Sequence, residues 1–118
     1  MNHKVLVLES NQDIQGLYRS AFAKNPGITL LQAISFDQAG ELLEKHPDVI
    51  IIVVAARIGS FWLNSLDFIR SIASRENAPA MIATSSDVDF VVDMVKAGCN
   101  HQTSEKWRTP ALIKSYLQ

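Results

Sequence analysis

Two near-continuous apolar runs, Val5–Leu8 and Val49–Val54, constrain this chain more than any other feature. A run that is apolar at every position suits a strand covered on both faces, because neither side of the pleat then meets water. Ile28–Gln32 and Ala80–Ala83 read as two further strands. Three of the four have a proline shortly upstream (Pro26, Pro47, Pro79), which stops the preceding segment from continuing as helix. Asn100–Ser104 is expected to supply a fifth strand, unusually polar and therefore weak. Strands alternating with helical segments imply a parallel sheet with right-handed crossovers.

The intervening segments carry helical periodicity. Ile14, Leu17, Tyr18, Ala21 and Phe22 form one apolar stripe with Asn11 as its cap. Ser35-Phe36-Asp37-Gln38 is a capping box that opens a helix burying Ala39, Leu42 and Leu43. Leu66, Ile69, Ile72 and Ala73 mark a third helix, with Asn64 expected as its cap. Ser86 is expected to cap a fourth, which Gly98 closes. Thr109-Pro110 starts a fifth, carrying Leu112, Ile113, Tyr116 and Leu117. The pattern predicts one (βα)5 domain over residues 1–118, with no repeat and no linker.

Bulk properties exclude several function classes. The 118 residues suffice for one core without staples. A net charge of −1 with no basic run leaves no electrostatic footprint for nucleic acid. A single cysteine, Cys99, excludes an internal disulfide, and without partner cysteines no metal cluster is expected; it reads as a small buried residue. His3, His46 and His101 are scattered and read as surface residues. The longest apolar run falls far below the ~20 residues that span a bilayer, and a cytoplasmic location is expected.

Several strings in order resemble the response-regulator receiver family over essentially the whole chain. Lys4-Val5-Leu6-Val7-Leu8-Glu9-Ser10-Asn11 is similar to the family's opening strand and acidic pair. Leu42-Leu43-Glu44-Lys45-His46-Pro47-Asp48 resembles the approach to its third strand, and Leu66-Asp67-Phe68-Ile69-Arg70 the start of its third helix. Pro79-Ala80-Met81-Ile82-Ala83-Thr84 and Lys96-Ala97-Gly98-Cys99-Asn100 resemble the fourth strand and the turn into the fifth. The resemblance implies a flavodoxin-like, doubly wound α/β fold with a parallel five-stranded sheet in the order 2-1-3-4-5. It also implies a two-component signalling module rather than an enzyme.

The family's site joins an acceptor aspartate, a Mg²⁺-binding acidic pair, a hydroxyl and a lysine, and this chain departs from it at most positions. The first acidic position is Glu9 and the second is Ser10, for which a cap or turn role is expected. The acceptor position, counted from Pro47, is Val53. Thr84 keeps the hydroxyl. The lysine position is Glu105, with Lys106 where a proline usually follows. Gln102 stands where the family often has an aromatic switch residue. Valine has no oxygen to receive phosphate, and one carboxylate cannot build the octahedral oxygen cage that Mg²⁺ requires. Asp48 falls at the far end of the strand, ~16 Å away, and Asp67 on a helix surface. The expectation is a degenerate receiver, neither phosphorylated on aspartate nor dependent on a metal or cofactor.

Two regions point to partners. On the fourth helix Val88, Val91, Val92 and Val95 form a stripe expected to face the sheet, while Phe90, Met94 and Ala97 form a second beside it. Together they cover about 220° of the helix, more than core packing needs. The second stripe, with Trp107 and Tyr116, is the candidate interface for a signalling partner or homodimer, on the face that receivers use between fourth helix, fifth strand and fifth helix. The bland alternative sinks the helix beneath Trp107 and Tyr116. After the third strand, Arg57, Phe61 and Trp62 lie in a loop about four residues longer than the family's. Arg57 is expected to pair with Glu105; Phe61 and Trp62 read as a lid or as a recognition loop. A second function class is a small-molecule-binding module, using the uncharged site beyond the strand C-termini rimmed by Val53, Phe61 and Trp62.

Overall fold

The computed structural model describes residues 2–58, 63–85 and 87–117, except for the side chains of residues 63 and 64. Five strands, β1 (His3–Leu8), β2 (Ile28–Ala33), β3 (Val49–Ala55), β4 (Ala80–Thr84) and β5 (His101–Thr103), form one parallel sheet in the order β2-β1-β3-β4-β5. The fully apolar β1 and β3 lie in its interior, as double coverage requires. The weak fifth strand is confined to three residues at one edge. β3 runs one residue past its expected end, and its register sets Val53 level with Val7 and Ile82, and Ala55 level with Thr84.

Helices α1 (Gln12–Phe22), α2 (Phe36–Lys45), α3 (Leu63–Ala73), α4 (Val88–Ala97) and α5 (Thr109–Tyr116) cover both faces. Alternation along each strand divides the core in two. Val5, Val7, Ile51, Val53 and Ile82 pack with Tyr18 and Phe22 of α1 and Ile113 of α5. Leu6, Leu8, Ile52, Val54, Met81 and Ala83 pack against α2, α3 and α4.

The caps follow short-range chemistry. Asn11 Oδ1 accepts from the amides of Asp13 and Ile14 at 2.9 and 3.2 Å. Ser35 Oγ accepts from Gln38 at 3.2 Å, while Gln38 Oε1 reaches back one residue further than the box requires, to the Ile34 amide at 2.8 Å. Two expected caps are corrected. Asp87 caps α4, its carboxylate accepting from Phe90 N at 3.1 Å, whereas Ser86 lies outside the described residues. Asn64 falls inside the first turn of α3.

The faces of α4 also differ from expectation. Met94 is fully buried and Val91 nearly so, while Val88, Val92 and Val95 are exposed at 64%, 46% and 38%. Phe90 and Ala97 are half-buried against the α2–α3–α4 core. The reason lies at the helix's end. Gly98 has φ 142° and approaches α3 so closely that a Cβ there would sit 2.6 Å from Ala73 Cβ. Drawn onto α3, the helix turns its Met94 side inward. Met94 is therefore removed from the candidate interface, and the valines replace it on the surface.

Candidate functional site

The C-terminal rim of the sheet gathers the ends of β1, β3, β4 and β5, the crevice where doubly wound folds place their chemistry. Glu9 directly follows β1 and is only 3% exposed. Its Oε2 accepts from Asn11 N at 3.1 Å, and its Oε1 lies 2.6 Å from Lys106 Nζ. Lys106 opens a 3-10 turn (Lys106–Arg108) between β5 and α5, which swings its side chain back over the rim. A lysine one residue later than the resemblance anticipates thus brings an ammonium to the acidic position. Sequence reading missed its role because that turn, rather than strand register, sets its direction.

Gln15 was also missed. It is buried on α1, and its Nε2 lies 3.2, 3.0 and 3.0 Å from the carbonyl oxygens of Val7, Glu9 and Ala33. Gln32 Nε2 donates to Gln15 Oε1 at 2.7 Å. These bonds tie the end of β1 to β2 and fix the backbone that carries Glu9. A polar residue inside the apolar stripe of the first helix was the available signal.

The remaining positions fall as follows. Val53 is buried within the α1–α5 side of the core, two residues short of the strand's end, and Ala55 stands at the level of Thr84. Thr84 is buried, with Oγ1 3.5 Å from the Val54 carbonyl. Ser10 is half-exposed just beyond Glu9. Ser65 Oγ lies 3.1 and 2.8 Å from the carbonyl oxygens of Ala55 and Ala56, its one proton pinning the exit of β3 to α3. Glu105, the expected partner of Arg57, is bonded to Arg108 Nε at 2.6 Å. Phe61 and Trp62 lie outside the described residues, so the lid and recognition-loop readings fall there too. Asp48 sits at the opposite end of the sheet, 3.0 Å from Lys4, and Asp67 is exposed beside Arg70 at 3.4 Å.

This donor set does not fit Mg²⁺. The ion takes hard oxygen ligands in a tight octahedron, and among the described residues the buried carboxylate at the rim is Glu9, one oxygen of which is already held by an ammonium. Among the described residues no group of three Asp, Glu, His or Cys side chains is placed to hold a metal. Val53, which the small-molecule reading sets at the rim, is packed within the core. A cleft at this end, about 330 Å³, is lined by Val88, Val91, Arg108 and the residues from Gln102 to Glu105.

Gln102 is exposed on β5. Tyr116 is half-exposed, its ring edge-on to His101 at 5.1 Å, and Trp107 is 63% exposed with the Arg108 guanidinium 4.8 Å from its ring centre. The described residues hold no helix long and apolar enough to cross a membrane.

No protein-family model matches the chain, and no curated protein matches it in sequence. Solved structures do match in shape. A response regulator from Thermotoga maritima superposes with a TM-score of 0.79 at 19% identity, over 98% of this chain and 97% of that one. The signal receiver domain of a response regulator from Bermanella marisrubri gives 0.80 at 16% identity, over 100% of both chains. A probable two-component response regulator/GGDEF domain protein gives 0.81 at 17%, with 98% of this chain matching 49% of that longer one. By strand order, helix placement and end-to-end superposition, the chain has the fold of a response-regulator receiver domain.

Proposed function

We propose that the chain is a pseudo-receiver: a signalling module of the two-component type that works by protein–protein contact, without aspartyl phosphorylation. The observation that carries this reading is the ion pair between Lys106 and Glu9, 2.6 Å apart at the rim. Phosphoryl transfer needs an acceptor oxygen, a cation on the transferring group and room for both. Here the carboxylate is already neutralised by a tethered cation, and the neighbouring positions on β3 are Val53 and Ala55. The fold supplies the setting and the substitutions remove the chemistry. Its contacts are then assigned to the face made by α4, β5 and α5, in a cytoplasmic setting, with a signalling partner or a second copy.

Incubation with acetyl phosphate and Mg²⁺, followed by intact-mass measurement, tests this. The expected result is no mass gain. A gain of one phosphoryl group that persists after Thr84→Ala would overturn the reading.

A further inference from the structure

We infer that a cleft at the N-terminal end of the sheet, apart from Glu9 and the rim, binds a small organic carboxylate with Lys114 as its counter-ion. The cleft, about 280 Å³, lies between the start of β1 at His3, the turn into β2 at residues 25–28, and Lys114 and Leu117 at the end of α5. That volume is close to the lower end of the range for small-molecule sites. Pro26, Ile28 and Leu117 give it an apolar wall, and Lys114 and His3 supply donors. A largely apolar concavity with a few polar groups is what holds and orients a small ligand.

The charge of the cleft decides the class of ligand. Lys114 is half-buried, its Nζ 5.7 Å from the ring centre of the buried Phe22. The ring face attracts the ammonium without neutralising it. Among the described residues no carboxylate pairs with Lys114. The sequence gives the reason. None of the 12 Asp and Glu residues falls within 1–8, 14–36 or 106–118, the three segments that enclose the cleft. Those segments carry Lys4, Arg19, Lys24, Lys106, Arg108 and Lys114. Lys4, Lys106 and Arg108 are engaged by Asp48, Glu9 and Glu105; Lys114, which lines the cleft, is not. An unneutralised ammonium beside an apolar wall favours an anion that brings its own apolar body. One cation matches one negative charge, so a carboxylate suits the cleft better than a phosphate dianion. The His3 imidazole adds an N–H donor in either protonation state.

Titration of the full chain with benzoate, followed through its amide NMR shifts, tests the site. Saturation with a Kd of roughly 1 mM or below is expected, with the largest shifts at Asn25, Gly27, Ile28 and Leu117. Benzamide keeps the ring without the charge, and acetate keeps the charge without the ring. Each is expected to bind at least about tenfold more weakly than benzoate. Lys114→Met should weaken benzoate about tenfold, whereas Lys24→Met, which removes an exposed charge outside the lining, should change it by no more than about twofold. Circular dichroism checks that both variants fold, and the benzamide and acetate comparisons need no variant. No saturable binding, benzamide as tight as benzoate, or an affinity indifferent to Lys114→Met overturns the inference. So does an acidic peptide that shifts these amides where benzoate does not, since the cleft would then be a protein-docking surface.

Discussion

Lys106 Nζ lies 2.6 Å from Glu9 Oε1, joining residues 97 positions apart across the rim of the sheet. Glu9 is almost wholly buried, whereas the Lys106 side chain keeps 28% of its surface exposed. The two ends of the contact therefore differ in what their removal leaves behind. A buried carboxylate without its cation is costly, while an ammonium that can swing to water is not.

Lys106→Met is accordingly expected to destabilise the fold by about 3 kcal/mol, at the low end of the range for breaking a buried pair. Glu9→Gln, which keeps a polar partner for the Asn11 amide and strands no charge, is expected to cost about 1 kcal/mol. The double variant should fall well short of the sum, since the lysine then has no carboxylate to neutralise. Urea denaturation of the four proteins measures all three quantities. Equal losses for the two single variants would show that Glu9 is not held by Lys106.

The buried face of α4 gives a second prediction. Met94→Ala removes a fully buried side chain between α4 and the sheet, and a loss of about 3 kcal/mol is expected. Val92→Ala alters an exposed side chain and should change stability by no more than about 0.5 kcal/mol. Thermal or urea denaturation decides between the two orientations. If Val92→Ala proved the more damaging, α4 would be turned the other way, with its exposed valines in the core.

The contrast between α4 and the sheet shows what could be read without coordinates. β1 and β3 announced themselves because an apolar residue at every position admits few other burial schemes, and the prolines before β2, β3 and β4 fixed the punctuation. On α4 both stripes are apolar, and periodicity alone set the valine stripe toward the sheet, whereas Val88, Val92 and Val95 are exposed and Met94 is buried. The choice came from Gly98 and its close approach to Ala73, a contact between segments distant in sequence. At the cap, Ser86 and Asp87 are adjacent residues of similar capping strength, and a one-residue difference lies below what pattern reading resolves. Lys106 was concealed in the same way: its position is offset by one from the resemblance, and only the 3-10 turn after β5 returns it to the rim. That Val53 carries no oxygen could be read from its residue type; that it packs on the α1–α5 side of the core, two residues short of the strand's end, could not, because the register of β3 decides it.

A third prediction concerns alkaline pH. Burial pushes the Cys99 thiol up from its ordinary value of 9.0 to about 12. Burial also raises the Tyr18 phenol well above its ordinary 10.0, with the Thr109 hydroxyl opposing and the Glu9 charge adding. Both groups are neutral while protonated, and in the unfolded chain each gives up its proton at lower pH than in the fold. Rising pH therefore favours the unfolded state. The contribution of Cys99 is fully present below pH 9 and is lost as pH climbs through about 12. Cys99→Ala should remove that part of the decline, so its urea midpoint falls less steeply than the wild type's over the same window. Tyr18→Phe should do likewise from pH 10 upward. In the folded protein Cys99 should resist thiol reagents at pH near 8, where an exposed cysteine is partly thiolate, and react only on unfolding. A wild type and a Cys99→Ala variant with the same alkaline slope would mean that the thiol is not held in the core.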